Sequence, residues 1–336
     1  MRMRYLSAFL CLGMLIAGCS GGGSKLESDS GSASTGTAGT FKVALLTPGP
    51  VSDSGWSAMA YKGLEAIKTS MGAEVANQEA TGTKIRDAMR SYARDGYQLV
   101  FGHGYEYNEP GVEVAKDFPK TVFVSSSGGM TATNAGAFRF YLEQGFYLCG
   151  YLAGLSTKSG VVAMIGGDDV PSIRSTFKGF RAGAEAAKPG IKVIEVFTGN
   201  GQDVAAAKNA TLKAIDQGAD FVIHQANAAA QGVFNACKER NVWAFGANEN
   251  QNANESGMVI ASAVIQAEKP FVKLATLVKD GTYKGEVTLM GMQDGAIEFV
   301  LNESLKDKLS PEAIVKVEAV RAEIQSGKLT VPKDEF

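Results

Sequence analysis

Residues 85–104, IRDAMRSYARDGYQLVFGHG, and residues 207–226, AKNATLKAIDQGADFVIHQA, follow one plan. Each opens with a helical stretch, turns at a glycine (Gly96, Gly218) and enters a short apolar strand that ends near a histidine, His103 or His224. The neighbouring segments repeat as well. FKVALLT (41–47) and GVVAMIG (160–166) read as strands, each followed by a turn-rich loop and a helix, and the two helices share YKGLEAI (61–67) and FKGFRAG (177–183). A third pair is PGVEVAKDFPKTVFVSSS (110–127) and QGVFNACKERNVWAFGAN (231–248). The offsets agree: 116 residues from Gly63 to Gly179, 122 from Gly96 to Gly218 and 121 from Val112 to Val233. Three matched β-loop-α units in one order indicate an internal duplication. Strands that are apolar throughout, alternating with helices, imply parallel sheets covered on both faces. The expected architecture is therefore α/β, with two doubly wound parallel-sheet lobes.

In open α/β sheets ligands bind beyond the carboxyl ends of the strands, and two such edges facing each other make a cleft. The residues just after each strand are thus the candidates. After the first strand, Trp56 opens a helix, as a core aromatic or as a stacking wall for a planar ligand. Asp53 and Ser54 precede it, as helix caps or as ligand contacts. His103, Tyr105 and Tyr107 follow the strand ending near Phe101, and His224 and Asn227 are their counterparts. Ser126 and, in the second copy, Asn248 and Gln251 follow the third strands; amides donate and accept in one plane, which suits ring nitrogens, hydroxyls and carbonyls. After the fourth strand come Gly167 and Asp168, a ligand contact or a solvated turn.

The start of the chain reads as an address. Arg2 and Arg4 precede an apolar run to Ala17 that is too short for a mature transmembrane span. It ends in LIAGC, which resembles a bacterial lipoprotein signal with Cys19 as the lipidated residue. Residues 20–40 carry almost no apolar side chains and read as a flexible tether. The chain is then expected in the cell envelope, lipid-anchored and facing the periplasm or the exterior. With Cys11 in the signal and Cys19 lipidated, Cys149 and Cys237 remain, expected as buried thiols in a compartment that permits a disulfide. A formal net charge of −2 over 336 residues gives no basic field for nucleic acid. Two histidines and four cysteines leave little for a metal cluster, and none is expected. GGDDVPS lacks the GxxxxGK[ST] spacing, GxSxG is absent, and no nucleophile–base pair is evident, so neither an enzyme nor a cofactor is expected.

With these residues in view, the chain resembles the basic membrane protein (BMP) family, PnrA-like lipoproteins that serve as solute-binding components of ABC transporters. The carriers are SDSGWSAMAYKGLEAI, GFYLCGYLAGLSTKSGVVAMIGG, FKGFRAGAEAAKPGIKV, DQGADFVIHQA and GANENQN. The resemblance implies the type I periplasmic-binding-protein fold, with a hinge and a central ligand cleft. It implies a purine nucleoside or base as ligand and an ABC permease as partner, on a chain expected to be monomeric. Trp56 stands at the family's stacking phenylalanine, Asn248 where many members carry an aspartate for ribose hydroxyls, and Gln251 at the motif's glutamine. The family's second aromatic has no counterpart in Gly199–Asp203, and Tyr105 or Tyr107 is the candidate replacement. Expected boundaries are a signal at 1–18, a tether at 19–40, a first lobe of 41–150 with about 260–290, and a second lobe of 151–259 with about 291–330. Segments near 140–156 and 252–264 are the expected hinges. The alternative function is a ligand-sensing or partner-binding surface lipoprotein not coupled to transport.

Overall fold

The computed structural model describes residues 39–52 and 55–335. The signal, Cys19 and the tether up to residue 38 lie outside the described residues, as do Asp53 and Ser54.

The first sheet holds β1 (Lys42–Thr47), β2 (Glu74–Glu79), β3 (Leu99–Gly102), β4 (Val122–Ser125), β5 (Ala135–Phe140) and β11 (Val287–Met290), in the order β11-β5-β4-β3-β1-β2 and parallel throughout. The second sheet holds β6 (Val161–Gly166), β7 (Lys192–Phe197), β8 (Phe221–Gln225), β9 (Trp243–Asn248), β10 (Val259–Ile265) and β12 (Ile297–Leu301), in the order β12-β10-β9-β8-β6-β7. Only the edge strand β12 runs antiparallel there, against β10. The two orders match strand for strand, which is the duplication read from the sequence made visible. Central strands such as β1 and β6 are apolar and almost wholly buried because helices cover both of their faces.

The repeated glycines explain how those helices pack. In the first lobe, α1 (Trp56–Met71) lies on α8 (Glu268–Lys279), and a Cβ on Gly63 would come within 2.6 Å of the Phe271 ring. In the second, α5 (Pro171–Ala187) lies on α4 (Glu143–Ser156), and a Cβ on Gly179 would stand 2.7 Å from the Glu143 carbonyl oxygen. The same position in each copy thus admits a partner helix at close range.

The chain passes between the sheets three times: at 141–142 from β5 into α4, at 266–267 from β10 into α8, and at 291–296 from β11 into β12. This moves the expected boundaries. Helix α4 packs on α5, β10 and β12, so the second lobe begins near residue 141 and not at 151. Strand β10 belongs to the second sheet, so residues 260–265 do not return to the first lobe and 252–264 contains no crossing. Register with β9 decides it: Ala263 pairs with Ala247 and Val264 with Asn248.

The largest apolar cluster runs from Val43, Leu64 and Phe271 through Phe138 and Phe146 to Phe177, Phe180 and Phe245, and so joins the two lobes behind the crossings. The carboxyl-terminal helix α9 (Pro311–Gln325) packs through Val317 and Ile324, and the Ser310 hydroxyl caps it by accepting from Ala313 N at 3.1 Å. Cys149 and Cys237 are both free and buried, and burial pushes both thiols up, Cys237 to about 12. Among the described residues no helix is long and apolar enough to cross a membrane.

Candidate functional site

The carboxyl ends of both sheets border one cleft of about 500 Å³. From the first lobe Trp56, Tyr105 and Ser126 line it; from the second, Asp168, Asn227 and Asn248. These six expected residues, far apart in sequence, meet because each follows a strand of a sheet whose edge faces the other.

Trp56 is half-buried at the start of α1, and His103 fixes it. The two rings stack with centroids 3.9 Å apart and planes inclined by 23°. The indole Nε1–H donates to the His103 carbonyl at 3.2 Å, and His103 Nε2 donates to the Trp56 carbonyl at 2.9 Å. One face of the indole is therefore occupied by imidazole, while the side chain also lines the cleft. His103 is fully buried and acts as the support beneath the wall, not as a lining residue.

His224 has a similar supporting place in the second copy. Its Nε2–H donates to Gln251 Oε1 at 2.9 Å, and the same oxygen accepts from Ala247 N at 2.9 Å. Burial lowers its pKa to about 4, against the upward pull of the Gln251 bond, so the ring is neutral at pH 7. His224 and Gln251 do not reach the cleft; they brace the end of β9. There Asn248 sits at φ 69°, a left-handed conformation that asparagine tolerates. Its Nδ2 donates to Gln225 Oε1 at 2.9 Å, and its Oδ1 is buried without a hydrogen-bond partner. Ser126 Oγ is likewise buried without a partner.

Two further expectations are corrected. Tyr107 is wholly buried and donates its hydroxyl to the Ala80 carbonyl at 2.7 Å, whereas Tyr105 is 63% exposed and lines the cleft. Both belong to the 3-10 turn Tyr105–Tyr107, which sends one ring inward and the other out. Gly167 is buried behind the surface, where its backbone meets Gly201; a Cβ there would be 2.5 Å from Gly201 Cα.

Sequence reasoning missed the charged floor of the cleft. Arg139 lies next to the last residue of β5, Glu143 begins α4, and both line the cleft although they are 7% and 1% exposed. The guanidinium bonds Glu143 Oε1 and donates to Ser175 Oγ at 3.0 Å; the Ser175 hydroxyl donates to the same carboxylate oxygen. The carboxyl-terminal tail closes the cluster: Asp334 N donates to Ser175 Oγ at 2.8 Å, and its carbonyl accepts from Arg139 at 2.5 Å. Burial raises the Glu143 pKa, with Arg139 and Ser175 pulling it back. An arginine and a glutamate at i,i+4, the charged residues of a mostly apolar run (135–153), were the signal available, because such charges are rarely buried unless paired. Lys62 of α1 pairs with Glu249 after β9, an ion pair between the lobes. Gln225, Glu106 and Phe140 are among the further lining residues that were not foreseen.

The arrangement offers an aromatic wall, amide and hydroxyl groups and an ionic floor. Among the described residues no group of three or more His, Cys, Asp or Glu is placed to hold a metal. The geometry is that of capture between two walls.

Comparison with known proteins agrees. The family model for PnrA-like ABC transporter substrate-binding proteins (Bmp) matches residues 40–335. A purine-binding protein of Brucella abortus is 26% identical over 293 residues, covering 86% of this chain and 82% of the relative. An ABC transporter nucleoside-binding protein of Lactococcus lactis is 26% identical over 321 residues, covering 87% and 89%. Among solved structures, an ABC transporter solute-binding protein of Conexibacter woesei superposes with a TM-score of 0.72 at 25% identity, over 88% of this chain and 99% of that one. This chain belongs to the Bmp family of PnrA-like ABC transporter substrate-binding proteins.

Proposed function

We propose that the protein captures a purine nucleoside or purine base in this cleft, closes its lobes over it and delivers it to an ABC permease. The single observation that carries the reading is Trp56, an indole braced by His103 and lining a two-lobed cleft. Stacking on an aromatic contributes about 1–3 kcal/mol per base. Asn248 Oδ1 and Ser126 Oγ, both lacking partners, are suited to ligand N–H and O–H groups. Tyr105, exposed in the same lining, is the candidate for a second wall. Asp168 and Asn227 contribute from the second lobe, and His103, His224 and Gln251 hold the lining in place. The names of the Brucella and Lactococcus relatives support the ligand class. Ligand contacts in both lobes supply the differential affinity that closure requires, with the three crossings as hinges. A lipid on Cys19 and a tether to about residue 40 would keep the carrier, acting as a monomer, at the envelope beside its permease.

The test is thermal melting of the full chain after unfolding and refolding to strip carried-over ligand. A ligand at a hundred times its Kd stabilises by about 2.7 kcal/mol. Purine nucleosides or bases should raise the Tm where pyrimidine nucleosides, sugars and amino acids do not. A shift confined to a non-purine class would refute the ligand while leaving the family unchanged.

A further inference from the structure

The charges around the cleft are lopsided. Among the described residues its lining holds three carboxylates, Glu106, Glu143 and Asp168, against one guanidinium, Arg139, and no lysine. The guanidinium is committed to Glu143 Oε1, Ser175 Oγ and the Asp334 carbonyl. The second oxygen of Glu143, Oε2, has no hydrogen-bond partner on a side chain that is 1% exposed. A buried carboxylate oxygen without a donor is costly. Burial accordingly raises the Glu143 pKa against the pull of Arg139, and it raises Glu106 as well. A positive charge in the cleft would relieve both. Trp56 lines the same space, and the face of an indole attracts cations.

We infer that the preferred ligand is a cationic purine, a base or nucleoside with a fixed or protonated positive centre. Trp56 stacks on its ring, Glu143 Oε2 accepts from it, and Glu106 and Asp168 supply negative potential. This rests on the purine reading above and narrows it. The same lining disfavours nucleotides, whose phosphates would face carboxylates and an arginine already bonded.

The test is calorimetric titration of the refolded full chain with two ligand sets. One is adenosine, 1-methyladenosine (cationic) and its neutral isomer N6-methyladenosine. The other is guanosine, 7-methylguanosine (cationic) and neutral N2-methylguanosine. The neutral isomers separate charge from the size of a methyl group. In at least one set the cation should bind about tenfold more tightly than its neutral isomer and its parent. That preference should shrink in Glu143→Gln, in Asp168→Asn (an exposed residue whose loss spares the buried cluster) and at high salt. Neutral members binding as tightly as the cations in both sets overturns the inference and leaves the purine reading standing. No binding by any purine overturns both.

Discussion

Replacing Trp56 by alanine removes three things whose sizes follow from the structure. The first is the ring stacked 3.9 Å from His103, and the second is the Nε1–H bond to the His103 carbonyl. The third is the indole surface in the cleft lining, which on the proposed reading stacks on the ligand. The bond from His103 Nε2 survives, because it ends on the Trp56 backbone carbonyl. Trp56 is only half-buried, so the stability cost should stay near about 1–3 kcal/mol, within reach of a folded variant. The affinity cost is the lost stacking, again about 1–3 kcal/mol, which raises Kd for a purine ligand by roughly 5- to 150-fold. Trp56→Phe keeps a ring but loses the N–H bond, and should recover most of the affinity with part of the stability loss. Isothermal titration gives Kd, and urea unfolding gives stability on the same samples. A folded Trp56→Ala protein that binds within twofold of wild type would show that the indole is not the ligand wall.

Gly179→Ala should lower the Tm by an amount equivalent to about 1–3 kcal/mol, because the new Cβ meets the Glu143 carbonyl at 2.7 Å and its Cα at 3.1 Å; an unchanged melt would refute this packing of α4 on α5. Ser175→Ala removes the hydroxyl shared by Glu143, Arg139 and the Asp334 backbone. It should cost about 1–3 kcal/mol and speed hydrogen exchange in residues 329–335, whereas unaltered exchange would mean that the tail is held elsewhere. His224 supplies a pH signature. Its pKa is about 4 when folded against 6.5 ordinarily, so between those values the unfolded chain binds a proton that the folded chain refuses. Stability should fall as pH drops through that window, by up to about 3 kcal/mol, and His224→Gln should flatten that part of the decline. Urea midpoints at pH 7 and 4.5 read it, and parallel declines in the two proteins would count against a neutral buried ring.

Much of the fold was legible because duplication is a pattern that one sequence can show. The central strands are apolar, as in β1 and β6, whereas the edge strand β2 (EVANQE) is polar and largely exposed; the repeat pairs the strands of the two copies, and their order in each sheet comes from the structure. What escaped notice lies where the copies join. Residues 259–265 are an apolar strand that either sheet could accept, and only pairing with β9 assigns it to the second. At the site, strand ends gave the right addresses but not the direction of each side chain. His103 and His224 point beneath the lining, and a single 3-10 turn separates Tyr105 from Tyr107. Arg139 and Glu143 were hidden for another reason. They sit at a crossing, and their partners Ser175 and Asp334 are 36 and 195 residues from Arg139.

The central claim is that a purine lies against Trp56 between the lobes. The chain has two tryptophans, so Trp243→Phe leaves Trp56 as the sole indole reporter. Titrating that variant with the purine that gives the largest thermal shift should change Trp56 emission in a saturable way, with the Kd found by calorimetry and one ligand per chain. Calorimetric binding with no change in Trp56 emission would place the ligand elsewhere and contradict the account.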